Sequence, residues 1–398
     1  MKILIIEPEF EGHYMILYIK FLIRIFTKNE VEITILTSKK ATNHKSFKSI
    51  LSENSKINIE LMEYINPKNS KTISLIIYQI KYHRILMNIF YKINNKYKFD
   101  HVFVNSLDHF DKALTILGSP FGKTNFSGIL VNPKFHLKEY NLGIAGRFNF
   151  FSKLFFKHLL KIKYLKNILT NDLFFLNYVK NYKNSDKLHF LQEPREFLNS
   201  YSKRYARKYL KLPENLFLIL IYGQLKKTKG VFELIKILKN NIQFNNIAII
   251  LAGKTDHDVK ALIRNHITTN LIKEKKIFVF DNFHDDKMES LLFSASDYVW
   301  VGYQKIFPFL SGVMYQAALK NIPIIASNHG IIGFLNKKYK LGYSVNIDDE
   351  WSLIDILKKV SSRWKYNYHV NKAKIFSNNS RPHFFMKKIE KIIIKNKL

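Results

Sequence analysis

Short apolar runs alternate with stretches of helical period along the whole chain. Ile3–Ile6 reads as a strand, Met15–Phe26 as an amphipathic helix and Glu32–Leu36 as the next strand. His101–Val104 and Gly128–Val131 are further short strands, closed by polar or proline-containing turns. The second half repeats the scheme. Leu216–Ile221 is almost continuously apolar, as a strand buried on both faces requires, and Val231, Leu234, Ile235 and Leu238 mark the helix after it. Ile247–Leu251, Ile277–Phe280, Tyr298–Val301 and Ile322–Ala326 continue the strands, with helices expected near Asp258–Asn265, Asp285–Ser296 and Gly312–Lys320. Such alternation predicts parallel sheets covered by helices on both faces.

A seam is expected near Pro194–Arg204, where the strand-like Leu188–Leu191 gives way to Gln192-Glu193-Pro194 and a charged helix. The predicted architecture is therefore α/β, with two Rossmann-like doubly wound domains facing each other across a cleft. They comprise residues 1–194 and 205–376, and a basic amphipathic helix over 377–398, through Phe384, Ile389 and Ile393, packs back toward the first. Ligands in such sheets bind beyond the C-terminal ends of the strands.

Composition narrows the class. A length of 398 residues fits two domains of about 100–200 each. The absence of cysteine excludes a disulfide framework, a zinc–thiolate site and a cysteine nucleophile, and it agrees with a reducing compartment. Glu7, Glu9 and Glu11 follow the first strand too soon for a secretory leader, and every apolar run falls far short of the ~18 residues of a spanning helix. The expected location is cytoplasmic, peripheral on the inner face of the cytoplasmic membrane.

The net charge of +33 attracts polyanions and anionic surfaces, although AT-rich codon usage also raises Lys, Asn and Ile together. Between Gly146 and Asn171 there is no acidic residue; Phe148, Phe151, Phe155, Leu159 and Ile162 form one helical stripe, and Lys153, Lys157 and Lys161 lie opposite. Residues 147–163 are thus expected on an anionic membrane surface; the alternative is a helix packed on the first sheet with its lysines in water. Lysines are many and arginines few, widely spread and outside any recognisable module, so no nucleic-acid partner is expected.

Two stretches suit a phosphate. In Tyr222-Gly223-Gln224-Leu225-Lys226-Lys227-Thr228-Lys229-Gly230 a strand hands over to a helix, and Lys229 stands at the helix start, where an ammonium and backbone N–H groups meet an anion. The alternative is an ordinary basic βα loop. In Phe307–Ala317, Ser311 suits an N-cap, Gly312 lets an anion approach, and the amides of Gly312, Val313 and Met314 point out of the helix start. Gln316, a turn later, is placed to bond a ribose hydroxyl, and Asn282 and Phe283, after the Ile277–Phe280 strand, to line a base pocket. The alternative again is simply a capped helix.

Two other signals are set aside. Gly118–Thr124 resembles a Walker A loop with three residues between its glycines instead of four. Asp256-His257-Asp258 has the spacing of a metal-binding pair, but Asp256 equally caps a helix, and no metal site is assigned.

On these residues the chain resembles the family-4 retaining glycosyltransferases of the GT-B class. The family's Gly-Arg-Leu…Lys-Gly loop stands here as Gly223-Gln224-Leu225…Lys229-Gly230. Its Ala-x-x-x-x-Pro-Val-Ile-Ala-Ser signature reads Ala318-Leu319-Lys320-Asn321-Ile322-Pro323-Ile324-Ile325-Ala326-Ser327, with Gly330 and Gly333 beyond. Glu11-Gly12-His13 resembles the acceptor-side glycine loop. The resemblance implies transfer from a nucleotide-sugar, used as substrate with no further cofactor and no bound metal, to a glycan or lipid-linked acceptor. Lys229 and the helix-start amides would hold the diphosphate. His13, beside Gly12, would orient the acceptor or assist proton transfer, and otherwise cap a helix or stand exposed; His136 is a second acceptor-side candidate. Both glutamates of the family's Glu-x7-Glu pair are replaced, by Pro308 and Gln316, and the loop arginine by Gln224. Two rivals follow: a GT-B homologue that binds nucleotide without turnover, and a basic nucleic-acid binder.

Overall fold

The computed structural model describes residues 1–9, 13–52, 57–63, 72–131, 133–140, 149–196, 198–240, 244–282, 284–307, 309–362 and 368–395. Gly12, Phe283 and Pro308, singled out above, lie outside the described residues. The chain divides into two compact units: Met1–His136 with Ala145–Pro194 and Pro382–Leu398, and Leu137–Ile144 with Arg195–Arg381.

The first unit holds a seven-stranded parallel sheet. Its strands are β1 (Lys2–Ile6), β2 (Glu32–Thr37), β3 (Ile57–Leu61), β4 (His101–Val104), β5 (Asn125–Ile129), β6 (Leu165–Thr170) and β7 (Leu188–Phe190), in the order β3-β2-β1-β4-β5-β6-β7. Alternate residues of β1 face opposite cores. Leu4 and Ile6 meet the long Thr72–Tyr97 helix through Tyr82, Leu86 and Phe90. Ile3 and Ile5 meet the His13–Lys28 helix and, from the end of the chain, Phe385, Ile389 and Ile393. Phe385 lies 5.6 Å from the Tyr18 ring and 6.2 Å from Phe21.

The second unit holds six parallel strands: β8 (Phe217–Tyr222), β9 (Ile247–Ala252), β10 (Ile277–Phe280), β11 (Tyr298–Val301), β12 (Ile324–Ser327) and β13 (Gly342–Val345), in the order β10-β9-β8-β11-β12-β13. This is the doubly wound order of a dinucleotide-binding sheet, with a switch point between β8 and β11, where the chain changes direction of growth. The fold class is as expected. β3, β6 and β13 did not stand out in the apolar pattern: β3 is a partly exposed edge strand, β6 is interrupted by Lys166 and Asn167, and β13 carries Gly342 and Ser344, so none forms an apolar run.

Helix boundaries follow local capping chemistry. Asp256, Asp285 and Asp349 each accept a hydrogen bond from the amide two or three residues on. For Asp256 this selects capping of the His257–Arg264 helix over a metal role. Gly118 ends the Asp111–Leu117 helix, so the Walker-like stretch is a helix terminus and a turn before β5.

Candidate active site

The switch point of the second sheet is where the two expected phosphate stretches meet. After β8, Lys227–Lys229 form a single 3₁₀ turn and Gly230 takes a left-handed φ of +65°. The turn is tied down from β11 and the loop after it: Trp300 Nε1 donates to the Lys229 carbonyl at 2.7 Å, and the Gln304 amide donates to the Thr228 carbonyl at 2.9 Å. A methyl at Gly230 would lie 2.6 Å from the Gly302 carbonyl, so only glycine lets the two strand ends come this close.

Lys229 Nζ donates to the carbonyl of Tyr222, the last residue of β8, and lies 5.7 Å from the centre of the Tyr303 ring. Tyr303 connects the two stretches. Its hydroxyl is 3.1 Å from Ser311 Oγ, its ring stacks on Phe307 at 4.3 Å, and its amide donates to Ser327 Oγ at 2.6 Å. The Lys229 loop and the Gly312–Leu319 helix therefore share one end of one sheet.

Two details correct the expectation. Ser311 stands at the N-cap, but its hydroxyl is turned to Tyr303 and makes no capping bond. The Met314 amide donates to the Ser311 carbonyl at 3.1 Å, which takes it out of any anion cradle and leaves the amides of Gly312 and Val313. Gln316 is 7% exposed, and its Oε1 has no hydrogen-bond partner among the described residues.

The remaining residues are more scattered. Gln224 and Asn282 are exposed, in the β8 loop and beyond β10 respectively. His284 Nε2 is 3.0 Å from the Phe280 carbonyl, and its ring stacks on Tyr222 at 6.2 Å, so an aromatic ring near β10 comes from a residue the spacing argument did not select. Burial lowers the His284 pKa. Tyr222 donates to Glu289 Oε2 at 2.8 Å; burial holds the carboxyl of Glu289 above its usual range, and burial with this neighbour raises the phenol. Tyr303 and Trp300 were also missed, although their positions at the end of an apolar strand mark them as candidates.

In the first unit, His13 opens the first helix. His136 is fully buried, 2.9 Å from Asp172 and packed on Phe175, which makes it part of the core and not an acceptor-side group. The corresponding switch point lies between β1 and β4. There Asn105 donates to Glu7 at 2.5 Å and the Glu9 amide donates to the same carboxylate at 2.9 Å; burial raises the Glu7 pKa to about 7.

The basic helix also differs from its spacing. On Asn149–Leu159 the exposed apolar side chains are Phe150, Phe151 and Leu154, with Lys157 and His158 also exposed, while Phe156 and Leu159 are buried. Lys153 and Lys157 lie over the Tyr178 and Tyr182 rings at 5.3 and 5.2 Å. Phe148, expected in the stripe, is outside the described residues. Among the described residues no helix is long and apolar enough to cross a membrane.

Residues 202–382 match the family described as glycosyl transferases group 1. No curated protein sequence matches the chain significantly. Similar solved structures include sucrose-phosphate synthase from Thermosynechococcus elongatus, at TM-score 0.72 and 12% identity over 100% of this chain and 99% of that one. HepE from Anabaena, in complex with UDP and glucose, has TM-score 0.68 and 13% identity over the whole of both chains. WaaG, a glycosyltransferase involved in lipopolysaccharide biosynthesis, has TM-score 0.63 and 12% identity over 98% of this chain and 100% of that one. The chain is therefore a transferase of GT-B fold, with a group 1 glycosyl transferase domain over residues 202–382.

Proposed function

We propose that this protein moves a sugar from a nucleoside diphosphate donor to a glycan or lipid-linked acceptor in surface polysaccharide assembly. The observation that carries the reading is the meeting of the Lys229 loop and the Gly312 helix start at Tyr303. A lysine and two first-turn amides at one strand-end crevice suit a diphosphate, whose charge grows as the glycosidic bond breaks. HepE, with the same fold, was solved with UDP and with UDP-glucose, which supports the donor class.

In this reading Lys229 neutralises the leaving diphosphate, the Gly312 and Val313 amides cradle it, and Gln316 bonds the ribose. Asn282 borders the base, Gly223 and Gly230 shape the loop, and Gly12 and His13 serve the acceptor. Transfer retains the anomeric configuration and needs no metal. The exposed Phe150, Phe151 and Leu154, in a segment without acidic residues, support peripheral attachment to an anionic membrane on the cytoplasmic side.

A thermal-shift screen of nucleotide-sugars tests the donor, since a ligand of the folded state raises Tm. With the donor identified, Lys229→Ala should lower turnover on the order of 10²-fold. Unchanged turnover removes Lys229 from the chemistry, and nucleotide binding without turnover in the parent favours the non-catalytic homologue.

A further inference from the structure

Tyr201, Tyr205 and Tyr209 recur every four residues, a spacing that on a helix places side chains in one row. The Lys203–Tyr209 helix keeps that row. The rings of Tyr201 and Tyr205 stack at 5.5 Å, those of Tyr205 and Tyr209 lie 6.2 Å apart, and Lys287 sits over the Tyr209 ring at 5.1 Å. Tyr205 is 48% and Tyr209 51% exposed. The support beneath them is firm. Ala206 and Arg207 are buried, and Arg207 binds the Ala295 carbonyl and Asp297. The Tyr201 amide donates to Ser294 Oγ at 3.2 Å, and the Ser202 hydroxyl caps the helix. A contiguous row of exposed rings marks an interaction surface, where single exposed apolar side chains do not.

The row runs into a pocket. Tyr201 lines an open space of about 270 Å³ together with Ser200, Lys203, Asp297, Lys320 and Asn321. Exposed Arg204 and Lys208 lie three residues after Tyr201 and Tyr205, as cations do beside the stacking rings of a nucleic-acid groove. The pocket decides against that reading. Lys203 Nζ pairs with Asp297 at 2.7 Å, and Lys320 Nζ donates to Ser290 Oγ at 2.8 Å and to the Asn199 carbonyl at 3.1 Å. Both ammonium groups are thus engaged, and the Asp297 carboxylate repels phosphate. What remains is a hydroxyl, an amide and a neutralised ion pair, which exchange hydrogen bonds with alcohol groups. Aromatic rings beside such polar groups fit a pyranose, which lays its C–H face on a ring and turns its hydroxyls to polar atoms. The ring-to-ring step is also comparable to one sugar of an extended chain.

We propose that Tyr201, Tyr205 and Tyr209, with the pocket they lead to, form a second glycan site that holds the body of an oligosaccharide. The inference rests on the sugar-transfer reading above for the class of ligand. Asp297 and Pro323 border the pocket and precede β11 and β12, so the site lies at the opposite end of the parallel sheet from the Lys229 loop. A sugar bound here is therefore not the one that reacts. The site keeps a chain on the enzyme between transfers and so raises the effective concentration of its end.

The test is calorimetric titration of the full chain with cellohexaose and maltohexaose as neutral glycans, an oligogalacturonate as an acidic one and oligo-dT as the non-glycan control. Replacing Tyr205 and Tyr209 together with Ser should weaken the preferred glycan at least about tenfold. Tm and nucleotide affinity should stay at the parent's values, since both rings are exposed and at the far end of the sheet. Replacing the pair with Phe keeps the rings and should keep most of the affinity. Equal glycan affinity in the Ser variant and the parent overturns the proposal, as does a parent that binds none of the glycans. Preference for oligo-dT over every glycan would make the row a nucleic-acid surface and overturn it too. Failure of the transfer reading is separate: a parent that binds glycan through the row but transfers no sugar leaves this site standing.

Discussion

Gly230→Ala probes how tightly the Lys229 loop is set against β11. Two costs add. An alanine at φ +65° occupies the left-handed region, at about 1–2 kcal/mol. That part is tolerable, since Lys275, Asn321 and Lys340 hold such angles in the same unit. The second cost is contact: the new methyl would lie 2.6 Å from the Gly302 carbonyl, 3.4 Å from Trp300 and 3.5 Å from Ile347. Backbone cannot swing aside as a side chain can, so the loop must shift, at a further ~1–3 kcal/mol for an overpacked site. The sum, roughly 3 kcal/mol, corresponds to a fall in Tm on the order of 10 °C for a unit of this size. Calorimetry of the unliganded variant reads the shift, and titration with the preferred nucleotide reads the displacement of Lys229. A Tm loss below about 3 °C, the strain alone, with nucleotide affinity intact would refute the close approach.

Three further perturbations test separate parts of the molecule. Glu7 rises from 4.5 to about 7 through burial, so the native state keeps a proton that the unfolded chain releases between those pH values. Its contribution to stability is full below pH 4.5 and lost as pH climbs to about 7, at about 1.4 kcal/mol per unit and roughly 3 kcal/mol in all. Urea unfolding of the parent and Glu7→Gln across that window should diverge in slope; parallel profiles count against a protonated Glu7. Arg207 donates to the carbonyls of Pro213, Glu214, Leu216 and Ala295 and pairs with Asp297 at 2.6 Å; Arg207→Ala should cost about 3–5 kcal/mol, and a thermal shift of a degree or two would contradict that. Replacing both Phe150 and Phe151 with Ser should reduce sedimentation with anionic vesicles at least about tenfold, given ~1.5–3 kcal/mol per buried ring. Equal sedimentation would end the membrane assignment.

Much of this protein was written locally. β8 and β9 are fully apolar because a central parallel strand is buried on both faces, and such runs announce themselves without any partner. Asp285 and Asp349 begin helices because a carboxylate bonds amides two or three residues away. Edge strand β3 was hidden for the converse reason, since half of it faces solvent. The sequence therefore determined the α/β class, most central strands and the two glycine-bearing turns. Only the tertiary structure decided which distant turns are neighbours. β8 lies beside β11, some 80 positions away, because the sheet order reverses there. Tyr303 joins Lys229 to Ser311, Ser311 turns its hydroxyl away from its own helix, and Arg195 fills the space above Gly312. These contacts depend on packing between segments far apart in the chain, and no local pattern encodes them.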